Sequence, residues 1–247
     1  MDEVVSQRIS LSVSDGTSMD AYLARPKGDG PYPGLLLFQE AFGVNPHIRD
    51  VAGRFARAGL VVISPELYHR TAAAGFEVAY DNFAAAAPHL KAIAPETLKF
   101  DIRAAYDWLR GQSFVRADRI ASVGFCLGGR VSFLACATIP IQAGVSFYGG
   151  GIAPALLDEI PNLRASMLFF WGGLDKHIGQ DQIRPIVETC DREGKAFVNV
   201  EISNADHGFF CDARPSYNTA AAELGWKLTL SFLNLHIMNP ERRTRLR

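Results

Sequence analysis

Ile120-Ala121-Ser122-Val123-Gly124-Phe125-Cys126-Leu127-Gly128-Gly129 runs from a buried-strand pattern into a helical one that continues to Ala137. Gly124, Gly128 and Gly129 leave room for a sharp strand-to-helix turn in which neighbouring elements pack closely. The residue at the apex is a cysteine. Its place beside the free N–H groups of a helix N-terminus favours a thiolate and a developing oxyanion alike. Cys126 therefore reads as a nucleophile on an elbow. A lone cysteine is more often apolar filling, and Cys136, Cys190 and Cys211 are read that way, since none has metal-ligand or paired spacing.

Working outward, residues 34–38, 60–63, 120–123, 143–147 and 167–171 are continuous apolar runs of the kind that form strands covered on both faces. Helical spacing follows in most cases, over 48–58, 98–109, 129–137, 182–193 and 220–235. Alternation of this kind predicts a mostly parallel central sheet with helices on both faces. A last strand is expected at 197–202. Residues 7–13 and 18–24, joined by the turn signal Asp15-Gly16, predict an N-terminal hairpin. Residues 68–95 fit the sheet pattern poorly: they are rich in alanine and carry Phe76, Tyr80 and Phe83 at helical spacing, either as core packing or as a cap over a site. No repeat or linker divides the chain, so residues 1–247 are expected to form a single domain.

In an open parallel sheet, catalytic groups gather on loops at the carboxyl ends of strands. The run at 167–171 is followed by Gly172-Gly173-Leu174-Asp175-Lys176-His177. The run at 197–202 is followed by Ser203-Asn204-Ala205-Asp206-His207-Gly208-Phe209. The order Cys126, Asp175, His207 is the nucleophile–acid–histidine order of α/β-hydrolases. His207 would take the thiol proton and Asp175 would fix its tautomer. Asp206 is a rival acid, but a chain neighbour of His207 points its side chain elsewhere, and His177 is a contender for the base. Backbone N–H groups of Leu127 and of Ala41, in the loop after 34–38, are the expected oxyanion donors. Glu40 stands in that same loop, where a carboxylate is costly unless paired or used; it either bridges to Arg49 or manages the proton of Cys126. Arg214, Arg49 and Arg70 are the cations near these loops, and a guanidinium fork suits a carboxylate. Arg214 is the first choice for binding substrate, with Arg49 and Tyr68 as further contacts.

Composition narrows the classes. The chain has 247 residues, enough for one core that buries roughly 70–75% of the unfolded surface, and a net charge of −1 from 25 basic and 26 acidic residues. Nucleic acid and anionic membranes are not expected partners. The acidic start, Met1-Asp2-Glu3-Val4-Val5, lacks secretory character, no apolar run approaches the roughly 20 residues of a membrane span, and four scattered cysteines fit a reducing compartment. A cytoplasmic location is expected, with the basic end, Arg242 to Arg247, as a solvated tail. There is no H-E-x-x-H, C-x-x-C, Walker or dinucleotide pattern, so neither metal nor cofactor is expected.

Taken together, Gln39-Glu40-Ala41-Phe42-Gly43-Val44-Asn45, Pro65-Glu66-Leu67-Tyr68, the cysteine elbow, Gly172-Gly173-Leu174-Asp175 and His207-Gly208-Phe209 resemble the dienelactone hydrolase (carboxymethylenebutenolidase) family of the α/β-hydrolase fold, over nearly the whole chain. The resemblance implies a Cys126-Asp175-His207 triad and a Glu40 that interacts with the thiol. It also implies hydrolysis of a cyclic enol-lactone to a maleylacetate-type keto acid. Better-known members hold the substrate carboxylate with arginines before the elbow helix and just past the catalytic histidine. Here no arginine lies between Thr71 and Leu98, and Cys211 stands four residues past His207. The other class considered is a non-catalytic ligand-binding or thiol redox-sensing protein on the same scaffold.

Overall fold

Residues 3–239 are described by a computed structural model; the basic end at 242–247 lies outside them. The chain forms two compact units, Met1–Ile120 and Ala121–Arg247.

In the first unit, β1 (Val4–Ser12) and β2 (Ser18–Pro26) form the expected hairpin, with Ser12 opposite Ser18. Asp15 organises its turn by accepting from the Thr17 backbone at 3.0 Å and hydroxyl at 2.6 Å, an Asx arrangement that replaces a backbone turn. β2 pairs antiparallel with β4 (Val61–Pro65), and β4 pairs parallel with β3 (Tyr32–Phe38), placing Leu36 beside Ile63. Both of the latter strands are buried along almost their whole length, as continuous apolar runs require. Helix α1 (Pro46–Arg57) starts where Asn45 caps it, accepting from the Ile48 N–H at 3.1 Å, with proline in the first turn and Arg54 and Arg57 in the last. Its Ile48, Val51, Ala52 and Phe55 are buried.

Residues 68–95 depart from the expected pattern. Only Phe83–Lys91 is helical (α2), while Phe76 and Tyr80 lie in turns, and Glu77 forms an isolated antiparallel bridge with Gly43. Their three- and four-residue spacing reflects a chain folded back on the 39–44 loop rather than one helix face. Helix α3 is Pro95–Arg110. Strand β5 (Val115–Phe125) begins five residues before the expected run, because its polar first half is extended but only partly covered.

The second unit carries the carboxyl half of β5 and three further parallel strands, β6 (Ala143–Phe147), β7 (Ser166–Gly172) and β8 (Phe197–Ile202). Along hydrogen-bonded neighbours the strands read β1-β2-β4-β3 in the first unit and β5-β6-β7-β8 in the second. Phe125 pairs with Phe147 and Phe147 with Phe170. Their rings stack at 4.8 and 4.3 Å. Since a one-residue slip would turn these rings to the opposite face, the stack fixes the register and aligns the carboxyl ends of three strands. Helices α4 (Leu127–Thr138), α5 (Gln180–Arg192) and α6 (Thr219–Leu233) complete the unit. Among the described residues, no helix is long and apolar enough to cross a membrane.

Candidate active site

The turn between β5 and α4 places Cys126 at the helix N-cap with φ 55° and ψ −114°. Positive φ is uncommon for a residue with a Cβ and costs about 1–3 kcal/mol, so the surroundings must impose it. They do so through backbone bonds: the Cys126 N–H donates to Phe147 O at 3.0 Å, and its carbonyl accepts from Gly129 at 3.0 Å. A Cβ on Gly124 would lie 1.9 Å from the Gly128 carbonyl oxygen, which explains the glycine. Cys126 is half-buried, whereas Cys136, Cys190 and Cys211 are buried. Burial pushes the Cys136 thiol up to about 12 and that of Cys190 to about 11.

Past β7, the Asp175 side chain is 1% exposed. Its Oδ1 accepts from the backbone N–H groups of His177 at 2.8 Å and Ile178 at 3.2 Å. Its Oδ2 lies 2.7 Å from His207 Nδ1. An ionised carboxylate only accepts, so Nδ1 donates to Asp175 and Nε2 is left for a second partner. Burial works against charge on His207, but Asp175 and Cys126 outweigh it and push the imidazole up to about 10. Burial also opposes charge on Asp175; hydrogen bonds from His207, His177 and Ile178 still hold its carboxyl below the usual range. Asp206 is engaged differently, accepting from the His207 backbone N–H at 2.6 Å. The second unit thus brings Cys126, Asp175 and His207 together, with Leu127 opening α4 directly after the thiol.

Asn218 braces the His207 loop. Its Oδ1 caps α6 by accepting from Ala221 at 3.1 Å, its Nδ2 donates to Asn204 O at 3.1 Å, and its N–H donates to Phe209 O at 3.0 Å. Asn218→Ala should cost about 1–2 kcal/mol, a fall in Tm of about 2–8 °C for a chain of this size. A melting curve unchanged within 1 °C would show that the loop does not depend on this brace.

Within the first unit, Glu40 is fully buried and accepts from the Tyr80 hydroxyl at 2.8 Å. Ala41 is held by its carbonyl, which accepts from the Tyr68 hydroxyl at 2.9 Å, and Gln39 Oε1 accepts from Leu67 N–H at 3.1 Å. The Pro65-Glu66-Leu67-Tyr68 stretch is thereby a buttress for the 39–41 loop. The sequence shows the stretch but not that use. Arg49 is engaged by the Val44 carbonyl and the Glu77 carboxylate. Arg70 forks onto Asp101 at 2.8 and 2.9 Å and onto Asp15. In the second unit the Arg214 guanidinium covers Gly208, so closely that a Cβ there would lie 2.3 Å from Nη1. It follows His207 in the same loop and lies against Gly208, the next residue after that histidine.

Comparison with known proteins places this geometry in context. The family described as "Dienelactone hydrolase family" matches residues 19–237. The "Putative carboxymethylenebutenolidase" of Methylorubrum extorquens is 34% identical over 233 residues, 91% of this chain and 79% of that protein. A "Probable 2-oxo-3-(5-oxofuran-2-ylidene)propanoate lactonase" of Bradyrhizobium is 28% identical over 234 residues, 91% of this chain and 92% of its own length. Among solved structures, one described as "Putative Dienelactone Hydrolase" from Klebsiella pneumoniae superposes with a TM-score of 0.86 at 29% identity, covering 95% of this chain and all of that one. With a mostly parallel sheet and an elbow shared by α/β-hydrolases, the chain belongs to the dienelactone hydrolase family and is a hydrolase of the ester and lactone class.

Proposed function

We propose that the protein hydrolyses a small carboxylate-bearing lactone or ester through a thioester on Cys126. The observation that carries this reading is the Cys126 elbow at the N-terminus of α4 in the same unit as His207, whose Nδ1 lies 2.7 Å from Asp175 Oδ2. His207 takes the thiol proton, the sulfur attacks the carbonyl carbon, and the electron pair moves onto oxygen. The Leu127 N–H, at the positive end of α4, is assigned to that oxyanion. Ala41 is assigned as second donor from the family resemblance. Collapse breaks the C–O bond, and the leaving oxygen takes the proton from His207; in a lactone it stays tethered. Water then attacks the thioester, its proton passing to His207 and on to the departing sulfur. Asp175 stays ionised and stabilises each imidazolium. The resemblance has Glu40 interact with the Cys126 thiol and keep it neutral at rest, and the Tyr80 hydroxyl restrains that carboxylate.

Arg214, lying over Gly208 beside His207, is assigned to the substrate carboxylate. The lactonase relative, whose substrate name ends in propanoate, supports a carboxylate-bearing ring. Tyr68 and Arg49 are proposed as further substrate contacts. A thiol nucleophile suits a reducing, cytoplasmic setting, as do four cysteines present as thiols.

The test is chemical. Acid-quenching the protein within milliseconds of mixing with an activated ester should yield Cys126 heavier by the acyl group, by peptide mass. A panel of lactones with and without a carboxylate should show lower KM for the carboxylates in wild type than in Arg214→Ala. Full turnover with no adduct would remove the thioester, and reversible Cys126 oxidation without any turnover would favour a thiol sensor.

A further inference from the structure

Among the described residues, two non-glycine residues have positive φ: Cys126 and Tyr148, the latter at 39°. They occupy matching places. Phe125 pairs with Phe147 at the carboxyl ends of β5 and β6, and each strained residue is the next one along. Such a conformation persists only where the surroundings over-determine it. Here the Tyr148 N–H donates to Phe170 O at 2.8 Å, which ties the turn to β7, and the Tyr148 carbonyl accepts from Gly150 at 3.0 Å. The constraint delivers a fully buried ring whose centroid is 5.0 Å from the His207 imidazole, tilted by 58°. Phe209 also packs against it, edge-on at 5.2 Å.

We infer that Tyr148 is a positioning residue for the reaction proposed above: its ring holds the His207 imidazole between Asp175 and Cys126 and stabilises the imidazolium formed when His207 takes the thiol proton. The inference rests on that reading of the triad. An aromatic face attracts a cation, the more so where water is excluded. The ionisable groups that share His207 with this ring are Asp175 at Nδ1, Cys126 at its other nitrogen, Asp206 at its backbone N–H and His177, whose ring is 5.6 Å away.

The experiment compares wild type, Tyr148→Leu and Tyr148→Phe by steady-state hydrolysis of p-nitrophenyl acetate and by NMR titration of the His207 ring nitrogens. Tyr148→Leu should lower kcat about three- to thirtyfold, the size of a desolvated cation–π contact, with KM within about twofold. The His207 midpoint should move to lower pH by about half to one and a half units. Tyr148→Phe keeps the ring and should rescue most of both losses. Wild-type kcat and midpoint in folded Tyr148→Leu would overturn the inference. If the leucine variant does not fold, a ring-fluorinated phenylalanine in place of Tyr148 keeps the shape and drains the face; it should lower the midpoint, and an unmoved midpoint overturns the inference equally. Failure of the triad reading looks different: Cys126→Ala would then turn over normally, while the NMR midpoint still reports what Tyr148 does to His207.

Discussion

Cys126→Ala should fold and lose about ten-thousand- to million-fold in turnover of lactones and activated esters, the range seen when a covalent nucleophile is removed. The residue left behind has no group to attack the carbonyl, and His207 would at best activate a water not held at the elbow. Because position 126 sits at φ 55°, Cys126→Gly provides a control. Glycine adopts that conformation at little cost, so this variant should be as inactive as the alanine one yet melt at or above it. Loss of activity would then be separated from loss of structure. Turnover of either folded variant at even a tenth of the wild-type rate would end the assignment of Cys126 as nucleophile.

The second large effect is expected at Asp175. In Asp175→Asn, the amide would still accept from His177 and Ile178, but its NH2 would face Nδ1 and force the ring proton onto the nitrogen that meets Cys126. The base would then point a proton at the thiol instead of a lone pair. A fall in kcat of about a thousand- to ten-thousandfold follows from this wrong tautomer, with a smaller effect on KM. The variant also changes how stability depends on pH. The His207 imidazole is raised from 6.5 to about 10, so its contribution is complete below pH 6.5 and disappears as pH rises through about 10. Asp175 is shifted the other way, so its contribution holds above its unfolded pKa of 3.8 and disappears as pH falls. The gap in Tm between wild type and Asp175→Asn should therefore be widest between those two ordinary pKa values and shrink toward both acid and alkaline extremes. A gap of constant size from pH 4 to pH 10 would show that the pair is not linked to folding.

Most strands were legible because a parallel sheet covered on both faces demands unbroken apolar runs, and 34–38, 143–147 and 167–171 are such runs. The first half of β5 was not, since Arg116, Asp118 and Arg119 are extended without being enclosed. Phe76 and Tyr80 misled for a related reason: spacing predicts a helix only when the chain between the marked residues is helical, whereas a bridge to Gly43 and a hydroxyl aimed at Glu40 hold this segment in turns. The candidate residues of the second unit could be named in advance because the elbow and the two strand-end loops carry reactive side chains amid glycines. Tyr148 is not legible as a site residue. Its only mark in the sequence is its place between Phe147 and Gly149-Gly150-Gly151, and neither its backbone angle nor its approach to His207 leaves a trace in residue type.

Enclosure of the remaining sulfurs has a practical meaning. At neutral pH, alkylating reagents react with ionised and accessible sulfur; Cys136 and Cys190 offer neither, and Cys211 is buried as well. Toward a bulky electrophile, a chain with four cysteines then behaves much like one with a single handle. Stoichiometric labelling can count working molecules in a preparation without prior mutagenesis of the interior.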